Sequence, residues 1–131
     1  MKLGSVTERD FSSVNPDMTL RELIKVISAS KRNLFPVINE ENELQGIIML
    51  DDIREIMFDT DAYDKIYVHN LMALPPAVIL YDEKMSNVVK KFNETGAWNL
   101  PVIKNNKYNG FVSKSKMFEV YRKHLIEISD D

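Results

Sequence analysis

The chain has 131 residues, 44% of them hydrophobic and 28% charged, with a net charge of −3. That suits one packed core or two small ones and argues against a cationic nucleic-acid surface. No apolar run approaches the roughly 18–20 residues of a membrane span, no signal peptide is legible after Met1, and zero cysteines exclude disulfides, thiolate catalysis and Cys-based metal sites.

In chain order, Phe11–Val14 is β-prone and ends at Asn15-Pro16. Thr19 and Glu22 have capping-box spacing, and Leu20, Leu23, Ile24 and Ile27 follow as one apolar helical stripe. Leu34–Ile38 and Leu44–Leu50 flank a polar turn and predict an antiparallel hairpin. Asp51 and Asp52 place negative charge at the start of a second helix, where the dipole favours it, with Ile53, Ile56 and Met57 on its inner face. The stretch Asp59–Pro76 reads as a solvated connection, closed by Pro75-Pro76. The order then recurs: Ala77–Leu80, a helix from about Lys84 to Glu94, strands near Leu100–Ile103 and Tyr108–Val112, and a helix through Leu125.

This recurrence extends to single residues. Asp17, Leu20, Leu23, Pro36, Val37 and Ile38 return 65 positions later as Asp82, Met85, Val88, Pro101, Val102 and Ile103. Beyond the hairpin turn the offset is 64: Gly46, Ile53 and Glu55 return as Gly110, Met117 and Glu119. The lost residue falls in a polar turn, where a deletion is tolerated. The chain is therefore two β-α-β-β-α copies, divided here as 1–66, which takes in the start of the connection, and 67–131. Each helix has one apolar face to bury, so first strand and hairpin share a sheet. Gly46 and Gly110 begin strands beside the seam and require either positive φ or close approach of backbone from the other copy.

The β-α-β-β-α order, the Pro-Val-Ile strand start and the Gly-hydrophobic-hydrophobic lead into a polar helix start resemble the cystathionine-β-synthase (CBS) domain, twice over. The resemblance implies an α/β (α+β) fold of tandem CBS domains, a small mixed sheet against two helices in each, related by pseudo-two-fold symmetry. The wording from Leu34 to Asn39 and Gly46 to Arg54, with Val68–Met72, is most similar to cytoplasmic tails of bacterial ClC-type chloride channels and transporters.

The family's nucleotide pattern is Gly-h-h-Thr/Ser-x-x-Asp. A hydroxyl at a helix N-terminus donates to phosphate, and a carboxylate one turn later accepts from ribose. Copy two keeps Ser113 but has Lys116 in the carboxylate position; copy one keeps Asp52 but has Met49 in the hydroxyl position. A lysine cannot accept from ribose, though Lys114 and Lys116 suit a phosphate. The resemblance implies that Arg32 and Asn33 face the Ser113 cleft and that Ala97, Trp98 and Asn99 face the Asp52 cleft. Ser113 and Asp52 equally serve as plain helix caps, and Trp98 equally serves packing as adenine stacking.

His69 and His124 lack clustered partners, and Asp59–Asp64 lacks the Gly and closing Glu of a calcium loop, so no metal is expected. No catalytic residue is expected either: adjacent Asp51 and Asp52 point apart, and no Ser-His-Asp order or glycine-rich phosphate loop occurs. The resulting expectation is a non-catalytic regulatory module on the cytoplasmic side of a membrane, covalently attached to a transmembrane chloride-channel domain. The alternative is a free-standing or enzyme-attached sensor of adenine nucleotides. No cofactor is required, and ATP, ADP or AMP binds weakly or not at all. Dimerisation is expected through the second helices of both copies, by Ile53, Ile56, Met57, Met117, Val120 and Tyr121.

Overall fold

Thr19 starts the first helix in the way its spacing from Glu22 requires. In the computed structural model, which describes residues 3–129, the Thr19 hydroxyl accepts from the Glu22 N–H at 3.2 Å. A Glu22 carboxylate oxygen accepts in return from the Thr19 N–H at 3.2 Å. This reciprocal cap satisfies two orphan donors of α1 (Leu20–Ala29), whose Leu20 and Leu23 are fully buried. β1 (Leu34–Ile38) and β2 (Leu44–Met49) form the expected antiparallel hairpin, with Val37 opposite Gly46. Phe11–Val14, however, supplies only one parallel bridge, Val14 to Val37. Asn15 ends it: its side-chain oxygen accepts from the Asp17 N–H at 2.9 Å and its carbonyl from the Met18 N–H, which turns the chain away.

The second helix of copy one is not a single helix. α2 spans only Leu50–Ile53, and a separate 3₁₀ turn covers Ile56–Phe58. The Met57 carbonyl is taken by the Tyr63 hydroxyl at 2.7 Å, and the Asp59 N–H closes tightly on the Ile56 carbonyl. Both bonds stop the α-ladder there. The stretch after Asp59 is not the solvated connection that its composition predicts, since Ala62 and Val68 lie in the core beside Phe35, Ile48 and Ile53. α3 (Val68–Leu71) follows. Arg21 on α1 donates to both Asp64 oxygens at 2.9 and 3.0 Å, which holds the Asp64 carboxyl below its ordinary value and raises that of Arg21.

Copy two forms β3 (Ile79–Leu80), α4 (Met85–Thr95), β4 (Asn99–Lys104), β5 (Lys107–Ser113) and α5 (Lys114–Ser129). Its sheet runs β3-β4-β5, with β3 parallel and β5 antiparallel to β4. α4 stops at Gly96, whose φ of 68° is the left-handed cap that glycine supplies without strain. Ile79, Val88, Phe92, Leu100, Val102, Val112 and Met117 pack together, and Leu3 and Val6 join them.

Those last two residues reveal how the copies are divided. Packing separates a continuous unit, Asp10–Leu74, from a split unit made of the chain up to Arg9 and from Pro75 onward. Division by repeat at 66/67 and division by packing thus fall at different places. In the split unit Glu8 and Phe111 exchange backbone hydrogen bonds of 2.8 and 2.9 Å. In the continuous unit Ala73 and Ile47 do the same at 2.8 and 2.9 Å. Each unit's outer strand is therefore covered by a short lead segment, 3–9 in one and 68–74 in the other, which protects the sheet edge.

The leads also explain the two glycines. A Cβ on Gly110 would lie 2.5 Å from the Glu8 carbonyl oxygen and 2.7 Å from Thr7 Cγ2, and Gly110 has φ +144° besides. A Cβ on Gly46 would lie 2.9 Å from the Ala73 carbonyl oxygen, with no positive φ. Close approach operates at both positions, but the approaching backbone is the lead on the glycine's own sheet.

Candidate functional site

In the split unit the Lys114 N–H donates to the Trp98 carbonyl at 2.8 Å, and Asn99 pairs with Ser113 across the hairpin. This brings Ala97, Trp98, Asn99, Ser113, Lys114 and Lys116 to the end of the β4–β5 hairpin opposite its turn. Ser113 Oγ accepts from the Lys116 N–H at 3.2 Å, so it satisfies a donor of the first turn of α5 while its own hydrogen remains able to donate. Lys114 Nζ lies 5.4 Å from the centre of the Trp98 ring and 5.9 Å from that of Phe118, within cation–π range. Trp98 is 76% exposed. The cluster therefore offers an anion two ammonium groups and a hydroxyl, beside an open aromatic face.

The continuous unit repeats the frame with other side chains. The Leu50 N–H donates to the Asn33 carbonyl at 2.9 Å, and Leu34 pairs with Met49. Arg32, Asn33, Met49 and Asp52 thus share the corresponding end of the β1–β2 hairpin. α2 opens on Met49 with no side-chain cap; Asp51 and Asp52 lie in its first turn, and Asp51 pairs with Arg54. Asp52 is exposed and is not the helix cap. The Arg32 guanidinium pairs with the Asp10 carboxylate and lies 4.1 Å over the Phe11 ring. Sequence reasoning named Arg32 but missed Asp10 and Phe11, because a pairing 22 positions away carries no periodic signal.

His69 stacks on Tyr67 with ring centres 5.5 Å apart, and His124 is exposed on α5. Among the described residues no group of three or more His, Asp or Glu is placed to hold a metal, and no helix is long and apolar enough to cross a membrane.

Two β-α-β-β-α copies with covered sheet edges, each displaying polar side chains at one hairpin end, define a tandem-repeat α/β module. The chain belongs to the CBS domain family, which it matches over residues 3–59 and 68–123. It is 29% identical over 121 residues to the uncharacterized protein MJ1232 of Methanocaldococcus jannaschii, covering 92% of this chain and 39% of that one. Among solved structures it resembles the soluble part of a magnesium transporter, with TM-score 0.77, 18% identity, and 94% and 48% of the two chains covered. It also resembles CBSX2 of Arabidopsis thaliana, solved in complex with AMP, with TM-score 0.73, 19% identity, and 93% and 96% covered.

Proposed function

We propose that this chain is a non-catalytic regulatory module that senses an adenine nucleotide and passes its state to an effector protein. The observation that carries this reading is the cluster in which Lys114 is tied to Trp98 by a backbone bond and lies over its ring, beside Ser113 and Lys116. Phosphate oxygens suit Ser113, Lys114 and Lys116, and the indole face suits a base. The ribose lacks its acceptor at position 116, so wild-type affinity is weak. Arg32 supplies a phosphate partner in the continuous unit. The AMP complex of CBSX2 supports the ligand class. None of the relatives named above is a chloride channel, while one is part of a magnesium transporter. The effector is therefore given as a transport protein or an independent partner, and the chloride-channel tail remains the narrower version suggested by the first copy's wording.

Calorimetry with ATP, ADP and AMP tests the ligand. Lys116→Asp restores a ribose acceptor and is expected to tighten AMP binding about tenfold, the worth of one charge-assisted hydrogen bond; Ser113→Ala weakens it. Tight wild-type binding that ignores both Ser113 and Asp52 substitutions would overturn the assignment.

The same proposal includes a homodimer through α5, on a different surface from the expected one. Ile53 and Met117 are buried in their own cores, and Ile56, Met57, Val120 and Tyr121 pack against them. The apolar surface left over lies further along α5, at Leu125, Ile126 and Ile128, next to a groove lined by Phe118, Tyr121 and Arg122. A two-fold contact would make this face self-complementary. Light scattering at tens of micromolar should give twice the 15.2 kDa chain mass, and Leu125→Glu should return it to the monomer value.

A further inference from the structure

We propose that Asp10 is a built-in competitor for the Arg32 guanidinium, an autoinhibitory latch that a ligand phosphate must open. This rests on the reading of Arg32 as a phosphate partner. The chain passes from the split unit to the continuous unit at Arg9–Asp10, and the residues around that crossing are each held within their own unit. Glu8 exchanges backbone bonds with Phe111, Arg9 donates to the Asn109 side-chain oxygen at 3.0 Å, and Asp10 pairs with Arg32. Phe11 lies under the same guanidinium, so one cation grips both residues that follow the crossing.

The second crossing shows that this grip is not required by the fold. By the 65-residue offset, Asp10 corresponds to Pro75 and Arg32 to Ala97. The chain crosses back at Leu74–Pro75 with neither charge present. A structural necessity would recur in both copies, as the lead pairing and the glycines do; this pair stands in one copy alone.

The latch is also weak enough to open. The Asp10 and Arg32 side chains are 76% and 32% exposed, and exposed ion pairs contribute at most about 1 kcal/mol. A phosphate carries more charge than one carboxylate and matches the guanidinium fork with two oxygens. Anion binding at Arg32 therefore displaces Asp10 and frees the residue next to the lead that covers β5.

The test uses the full chain with inorganic phosphate and AMP as probes. Asp10→Asn keeps the size and removes the charge; it should tighten both probes about two- to fivefold, the range an exposed pair allows. Arg32→Ala in the same background should abolish the gain. In the wild type, bound phosphate should speed hydrogen exchange at the Glu8 amide. Binding that is equal in wild type and Asp10→Asn, or a Glu8 amide indifferent to phosphate, overturns the latch and leaves the nucleotide reading standing. No binding of either probe to any variant overturns both.

Discussion

Gly110→Val is expected to lower stability by about 3–5 kcal/mol, combining backbone strain with overpacking. Valine resists the φ of +144° that Gly110 adopts, and its Cβ would sit 2.5 Å from the Glu8 carbonyl oxygen. That oxygen cannot retreat cheaply, because Glu8 is held to Phe111 by two backbone bonds. Gly46→Val is the internal control. There the nearest atoms are the Ala73 carbonyl at 2.9 Å and the mobile Met72 sulfur at 3.1 Å, without positive φ, so about 1–3 kcal/mol is expected from overpacking alone. Denaturant unfolding of the two variants measures the difference; equal losses would show that strain at Gly110 contributes nothing.

A chain starting at Asp10 should keep the continuous unit and lose the split one. Such a chain lacks Leu3 and Val6, both nearly fully buried, and each such side chain contributes about 1.5–3 kcal/mol of burial. It also uncovers the edge of β5. Against a total stability of about 5–15 kcal/mol for a whole domain, that loss is decisive for a unit of this size. Phe35, Val37, Ile48, Ile53 and Val68 meanwhile retain every core neighbour within 10–74. Amide exchange should therefore show protection surviving at Val37 and Ile48 and collapsing at Val102 and Val112. Uniform protection, or uniform loss, would contradict this division of the chain.

Local chemistry was legible in the sequence wherever it depended on near neighbours. Thr19 and Glu22 specify their cap, and Pro36-Val37 and Pro101-Val102 lie in hairpin strands near the expected bounds. The repeat located both glycines. What escaped depended on distant partners. Ile53, Ile56 and Met57 have the same spacing as Met117, Val120 and Tyr121, yet only the second set lies on a long helix, because Tyr63 intercepts the Met57 carbonyl. The leads escaped because a repeat reads as two consecutive blocks, although Glu8 and Ala73 stand 65 apart, as do Leu3 and Val68. The Trp98–Lys114 contact needed the backbone bond across the hairpin end, which no spacing along the chain encodes.

The placement of the leads has a consequence for assembly. Segment 3–9 precedes the first copy but completes the sheet of the second, and 68–74 precedes the second copy but completes the sheet of the first. The polypeptide is thus a strand-exchanged pair whose two members have been fused. Between separate chains, such an exchange would be second order and would dissolve on dilution. Here each lead reaches its edge at an effective concentration set by the tether alone, on the order of millimolar for flexible linkers. Its seating is indifferent to how much protein is present, so any signal that unseats a lead acts on a single molecule.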